Sequence, residues 1–178
     1  MPENSSTRAP ADAKPSTGPG EQAIVVTRIL DAPRRAVFEA WTEPERLKRW
    51  WGPRGFTAPV TETDPRIGGK YLRGIRSPDG RDFFNTGVFR EIVEPERIVA
   101  TDSFLDAEGN AVPASHYGLP GDWPAGTVMT VTLEEREGRT VLTVREDGIP
   151  KEMRAPAEAG MRASVDRLAE YLEAEPSS

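Results

Sequence analysis

The side chains best able to do chemistry are few and scattered. His116 is the one histidine of the chain, and there is no cysteine. An imidazole titrates near ~6.5, where proton transfer is useful. Catalysis also needs an orienting partner and a substrate within reach, and no neighbouring motif supplies either, so no catalytic residue is assigned. His116 shares its stretch with Tyr117 and Trp123, and the three suit the wall of a lid with polar tips. Asp102 and Glu146 sit in strand-like runs of apolar alternation and are candidate buried polar anchors. Glu146 stands at the end of its run, where solvent is the better expectation. Arg73 and Arg90 also fall in strand-like runs. A buried arginine facing a carboxylate would orient the polar end of a ligand. Arginine is rarely buried unless paired, however, so both are expected to face outward.

Other chemistries find no residues. One histidine and no cysteine leave nothing with metal-ligand spacing, and neither a metal nor a cofactor is expected. Gly68 and Gly69 precede a strand-like run rather than a helix, so they form no phosphate loop. The balance of 23 basic and 29 acidic residues, net charge −6, suits no nucleic acid. No apolar run approaches the ~20 residues of a membrane span, and no apolar segment follows Met1 as a secretory signal would require. Neither membrane insertion nor secretion is expected, and the cytoplasm is the default compartment. Arg34, Arg35, Arg46, Lys48 and Arg49 are interleaved with Glu39, Glu43 and Glu45. That mixture reads as a solvated face, available as a docking surface for an acidic protein partner. The oligomeric state is not encoded in any visible pattern.

The elements that must position these groups read as follows. Residues 1–20 are rich in Pro, Ser, Ala and Gly and cannot bury enough apolar area to order themselves; a disordered tail is expected there, with one domain over 21–175. Strands are expected at Ile24–Leu30, Thr57–Asp64, Lys70–Arg76, Asp82–Val93, Arg97–Phe104, Thr127–Glu135 and Thr140–Glu146. Pro59 marks the second as an edge strand, and Ser77-Pro-Asp-Gly80 is a hairpin turn. Between Leu105 and Gly126 lies an aperiodic stretch with aromatics, the mark of a packed functional cover. Pro156–Ala174 is the one long helix, its apolar stripe running Ala157, Met161, Val165, Leu168 and Leu172.

Ile29–Phe56 holds three of the four tryptophans. Pro33 and Pro44 each open a short helix, the first with Val37, Phe38 and Trp41 on one face, the second with Leu47, Trp50 and Trp51. Helices this short need a concave partner. Trp50 and Trp51 cannot both point inward, so one of them should lie at a rim, Trp51 being the better candidate for a pocket. The order is then α+β: six to seven antiparallel strands curving around the C-terminal helix, two short helices after the first strand, and a cavity between them. Apolar cavities are where ligands go. Met129 and Met161 are expected on its inner surface with Phe89 and Phe104, methionine being adaptable to varied ligands. With Phe38, Trp41, Trp51, His116, Tyr117 and Trp123 they make up the expected lining.

The stretches DAPRRAVFEAWTEPERLKRWWGPRGF, GGKYLRGIRSPDGRDFFNTGVFREIVEPERIVATDSF and GMRASVDRLAEYL closely resemble the bacterial single-domain relatives of the C-terminal domain of the Hsp90 ATPase activator. These belong to the helix-grip superfamily (SRPBCC) with START-type lipid-transfer, Bet v 1-like and polyketide cyclase domains. The resemblance spans residues 22–174 and implies an elongated cavity for a hydrophobic small molecule. Met161 departs from the pattern, since relatives often carry tryptophan after this glycine. Stimulation of Hsp90 in the family also uses a separate N-terminal domain, which residues 1–20 do not resemble. The expected function is non-enzymatic binding of a hydrophobic or amphipathic small molecule. Two alternatives stay open. A cyclase- or hydrolase-type enzyme would show an internal acid–base group such as His116 or Asp102. A protein-interaction module would show a filled cavity with Trp50 or Trp51 exposed.

Overall fold

A computed structural model describes residues 23–175 of the protein; the tail expected over 1–20 lies outside the described residues. The chain begins with β1 (Ala23–Leu30), α1 (Arg34–Thr42) and α2 (Pro44–Leu47). It continues as a meander of β2 (Thr57–Thr63), β3 (Lys70–Arg76), β4 (Asp82–Val93), β5 (Arg97–Leu105), β6 (Thr127–Arg136) and β7 (Arg139–Asp147), and closes with α3 (Arg154–Ala174). Sheet order is β1-β7-β6-β5-β4-β3-β2, antiparallel throughout. The expected α+β helix-grip architecture is therefore the observed one. β2 is an edge strand, and its pairing slips between Thr57 and Val60, where Pro59 has no N–H to give the ladder. The β6–β7 turn places Glu137 at φ 55° and Gly138 at φ 79°. Positive φ at both central residues matches the twist of the flanking strands.

Period-two alternation decides what the sheet presents to α3. Thr127, Met129, Val131 and Leu133 of β6 are buried, as are Thr140, Leu142 and Val144 of β7. The helix answers with Met161, Val165 and Leu168, at the spacing of one helical stripe. Each such side chain contributes about 1.5–3 kcal/mol when fully buried. Ala157 and Leu172, the ends of the expected stripe, are only partly buried against this core. α2 is a single turn, shorter than expected, and ends where Trp50 turns inward. Trp50 is fully buried and its indole N–H donates to the Ala40 carbonyl at 3.0 Å. Trp41, Trp50 and Trp51 meet edge-on, with ring centres 4.8–5.7 Å apart, the arrangement favoured by ring quadrupoles. Trp51 remains half-buried at the rim. No helix among the described residues is long and apolar enough to cross a membrane.

Candidate functional site

Between the sheet and α3 lies a cavity of about 150 Å³. Its floor takes one side chain from each of five consecutive strands: Arg73 (β3), Asn85 (β4), Asp102 (β5), Met129 (β6) and Glu146 (β7). Trp51 and Pro53 close one side, and Met161 and Ser164 of α3 form the roof. A second space of about 140 Å³ lies beyond Asp102 and Glu146, walled by Phe104, Trp123 and Ala157. Asp102 and Glu146 line both spaces. A third gap, about 10 Å³, sits behind Arg73 among Trp41, Tyr71 and Phe89.

Arg73 is the unusual group. Only 7% of it is exposed, which corrects the expectation that it faces solvent. Its strand parity is the physical reason. Tyr71 and Arg73 alternate onto the concave face of β3, and the guanidinium lies 4.2 Å from the Tyr71 ring centre and 4.5 Å from that of Trp51. A desolvated cation on aromatic faces gains on the order of 2 kcal/mol. Its Nε is nonetheless buried without a hydrogen-bond partner. An unmet buried donor costs about 1–3 kcal/mol.

Two acids face this cation. The Tyr71 hydroxyl lies 2.6 Å from Asp102 Oδ1, and Asn85 Nδ2 donates to Oδ2 at 3.2 Å. The Thr127 hydroxyl donates to Glu146 at 3.1 Å. Glu146 is corrected too: although at a strand end, its carboxyl turns into the cavity, because Leu142, Val144 and Glu146 share a parity. Desolvation raises Glu146 to about 7, with the Asp102 charge adding to the rise while Thr127 and Arg73 oppose it. Desolvation likewise raises Asp102 to about 6, against the Tyr71 hydrogen bond, Arg73 and Asn85. Tyr71 itself is pushed up by burial and by Asp102. Its hydroxyl has one proton but two oxygens close by, Asp102 Oδ1 at 2.6 Å and the Thr101 carbonyl at 2.7 Å. Both contacts are hydrogen bonds at once only when the Asp102 carboxyl carries a proton. The acids titrate as a pair that holds roughly one proton between about pH 6 and 7. Tyr71 reaches Asp102 by crossing β4 at Gly87, where a Cβ would lie 2.5 Å from the ring and 1.8 Å from the Thr101 carbonyl oxygen.

The expected lining residues fall in different places. Trp51, Met129 and Met161 face the main cavity, Trp41 and Phe89 the gap behind it, and Phe104 and Trp123 the second space. Phe38 is core, 4% exposed. Tyr117 packs on Phe83 and Phe104, and its hydroxyl accepts from the Phe84 N–H at 3.2 Å, tying the 105–126 loop to β4. His116 is exposed, edge-on to Tyr117 at 4.8 Å. It lines none of the three spaces. Arg90 is exposed, as expected. The basic face of the short helices is paired at its surface, Arg35 with Glu94 at 3.1 Å and Lys48 with Glu45 at 2.8 Å. With Trp50 buried, the tryptophan pair offers no exposed aromatic patch. Among the described residues no group of three His, Cys, Asp or Glu side chains could hold a metal. Tyr71, Asn85 and Thr127 were not singled out from sequence. Inward parity beside Arg73, Asp102 and Glu146 was the signal that marks them.

A curved antiparallel sheet closed on one long helix, with a cavity held between them, defines a helix-grip protein of the START-like ligand-binding superfamily. More particularly, the chain belongs to the family described as Activator of Hsp90 ATPase homolog 1-like protein, which it matches over residues 31–173. It is similar to a solved protein of Chromobacterium violaceum, at 31% identity over 86% of this chain and 99% of the other, with a TM-score of 0.72. A protein of Arthrobacter aurescens solved by NMR is 28% identical over 88% of each chain, TM-score 0.72. The AHSA1 protein of Silicibacter pomeroyi, 19% identical over 85% of this chain and 97% of that one, shares the fold at a TM-score of 0.70. No curated protein matches the chain.

Proposed function

We propose that the protein binds a small amphipathic molecule between sheet and helix, without transforming it. The apolar part lies against Trp51, Met129 and Met161, and a hydrogen-bond acceptor meets Arg73. The observation that carries this reading is the Arg73 guanidinium, a nearly buried cation on a side chain that lines the cavity. A cavity of about 150 Å³ is far below the 300–1,000 Å³ of drug-sized sites and of the volume that admits a benzene ring. The occupant is thus ring-sized, not the long lipid that an elongated chamber suggests. With about nine heavy atoms, affinity is on the order of 0.1–1 mM. Native mass spectrometry of protein purified without denaturant, followed by a tryptophan-fluorescence titration with ring-sized alcohols, amides and acids, tests the reading. Saturable quenching that disappears in Arg73→Met supports it; no response from any compound counts against it.

A second reading is favoured by one observation. Asp102 and Glu146 give the cavity the internal acid–base pair that a hydrolase- or cyclase-type enzyme would need, with one member poised near neutral pH for proton transfer. Turnover of a ring-sized ester or β-dicarbonyl compound, lost in Glu146→Gln, would replace the binding reading by this one.

A further inference from the structure

We propose that the cavity is built for a small monocarboxylate, which it takes up together with one proton delivered to the Asp102–Glu146 pair. The proposal rests on the binding reading above and names its ligand class. Arg73 is packed against the faces of Trp51 and Tyr71 at 4.5 and 4.2 Å, so what remains for a ligand is the in-plane edge of the guanidinium. That edge is a planar fork of N–H donors, and its natural complement is a planar two-oxygen group. Nε is sealed within the protein without a partner, so the terminal nitrogens of the guanidinium are what a carboxylate would meet. Apolar Met129 and Met161 leave room for one ring or a short chain behind the carboxylate.

Charge balance supplies the rest. The titratable and charged groups lining the cavity are Arg73 from β3, Asp102 from β5 and Glu146 from β7, and Tyr71 of β3 meets Asp102 from behind, at 2.6 Å. Asp147 beside Glu146 is engaged by Arg145 at 2.8 Å. The α3 residues lining the cavity, Gly160, Met161 and Ser164, bring no charge, and Asn85 of β4 is neutral. Between about pH 6 and 7, with the guanidinium cationic and one proton on the acid pair, the empty cavity is neutral. A carboxylate arriving alone would leave one uncompensated negative charge in a desolvated space. Neutrality returns when the ionised member of the pair takes a proton from solvent, so that both acids are carboxylic acids beside an arginine–carboxylate pair. A phosphate dianion would need two such protons, and the pair has room for one.

The experiment is calorimetric titration of the full chain with benzoate and with its neutral isostere benzamide, from about pH 6 to 8.5. Benzoate is expected to bind more tightly than benzamide at about pH 6, to weaken by up to roughly tenfold between about pH 6 and 7 as proton uptake becomes limiting, and to weaken more steeply above 7, where the empty pair has lost its last proton. Benzamide is expected to show no such slope. Proton uptake is read directly from the dependence of the heat on buffer ionisation. In Asp102→Asn/Glu146→Gln the benzoate slope should vanish while binding persists, and in Arg73→Met benzoate binding should be lost at every pH. Benzamide binding as well as benzoate, or benzoate binding without proton uptake, overturns the proposal and leaves the binding reading standing. Binding of neither overturns the proposal, and if benzyl alcohol also fails to bind, the binding reading falls with it.

Discussion

Replacing Glu146 by glutamine should stabilise the protein at alkaline pH and leave it unchanged in acid. Glutamine keeps the length of the side chain and an oxygen for the Thr127 hydroxyl, which donates at 3.1 Å; only the charge is lost. In the folded protein Glu146 is raised from 4.5 to about 7. The folded state therefore holds more protons than the unfolded chain between those values, and stability falls as pH rises through that window. The contribution is fully present below about 4.5 and lost above about 7. At 1.36 kcal/mol per pH unit the loss is about 3 kcal/mol. That is an upper figure, because part of the cost passes to Asp102 when the two acids share a proton. For a chain of this size about 3 kcal/mol corresponds to roughly 6–12 °C in Tm. Urea and thermal unfolding of both proteins at pH 4.5, 6, 7 and 8 measure it. The expected result is coincident stability at pH 4.5 and a gap opening toward pH 8, with the variant ahead. Parallel profiles across the range would refute the burial and coupling of this carboxyl.

Other consequences are as concrete. Gly87→Ala places a Cβ 1.8 Å from the Thr101 carbonyl oxygen and 2.5 Å from Tyr71; a loss of at least ~3 kcal/mol is expected in urea unfolding, since backbone must move. Leu168→Ala, at a fully buried site between α3 and the sheet, should cost about 2–5 kcal/mol, seen as a lower urea midpoint with an unchanged slope. His116→Ala, on the exposed loop, should change neither stability, within ~0.5 kcal/mol, nor ligand affinity. A loss of binding in that variant would restore the histidine to the site.

The strands, the order of helices and the wrapping of the sheet were legible because alternation and helical stripes repeat over many residues. The site was legible only in outline. Met129, Met161 and Trp51 line one cavity. Residue type alone puts Arg73 and Glu146 in solvent, because charged residues usually are. Their parity with Tyr71 on β3 and with Leu142 and Val144 on β7 pointed the other way, and parity won. The cavity's small size was not legible, since it depends on how the side chains of five strands and α3 meet in space. Nor was the placement of His116: lid loops carry polar tips inward or outward, and here the aromatic contacts of Tyr117 hold the loop while His116 stays outside.

The most direct test is NMR of the arginine side chains in the ¹⁵N-labelled protein. Arg73 Nε–H, held against two aromatic rings, should give a ring-shifted, slowly exchanging cross-peak that Arg73→Met removes. This peak should move, saturably, on titration with at least one of benzoate, benzamide and benzyl alcohol. A peak that stays still with all three, while the protein remains folded, would contradict the claim that Arg73 receives a ligand in this cavity.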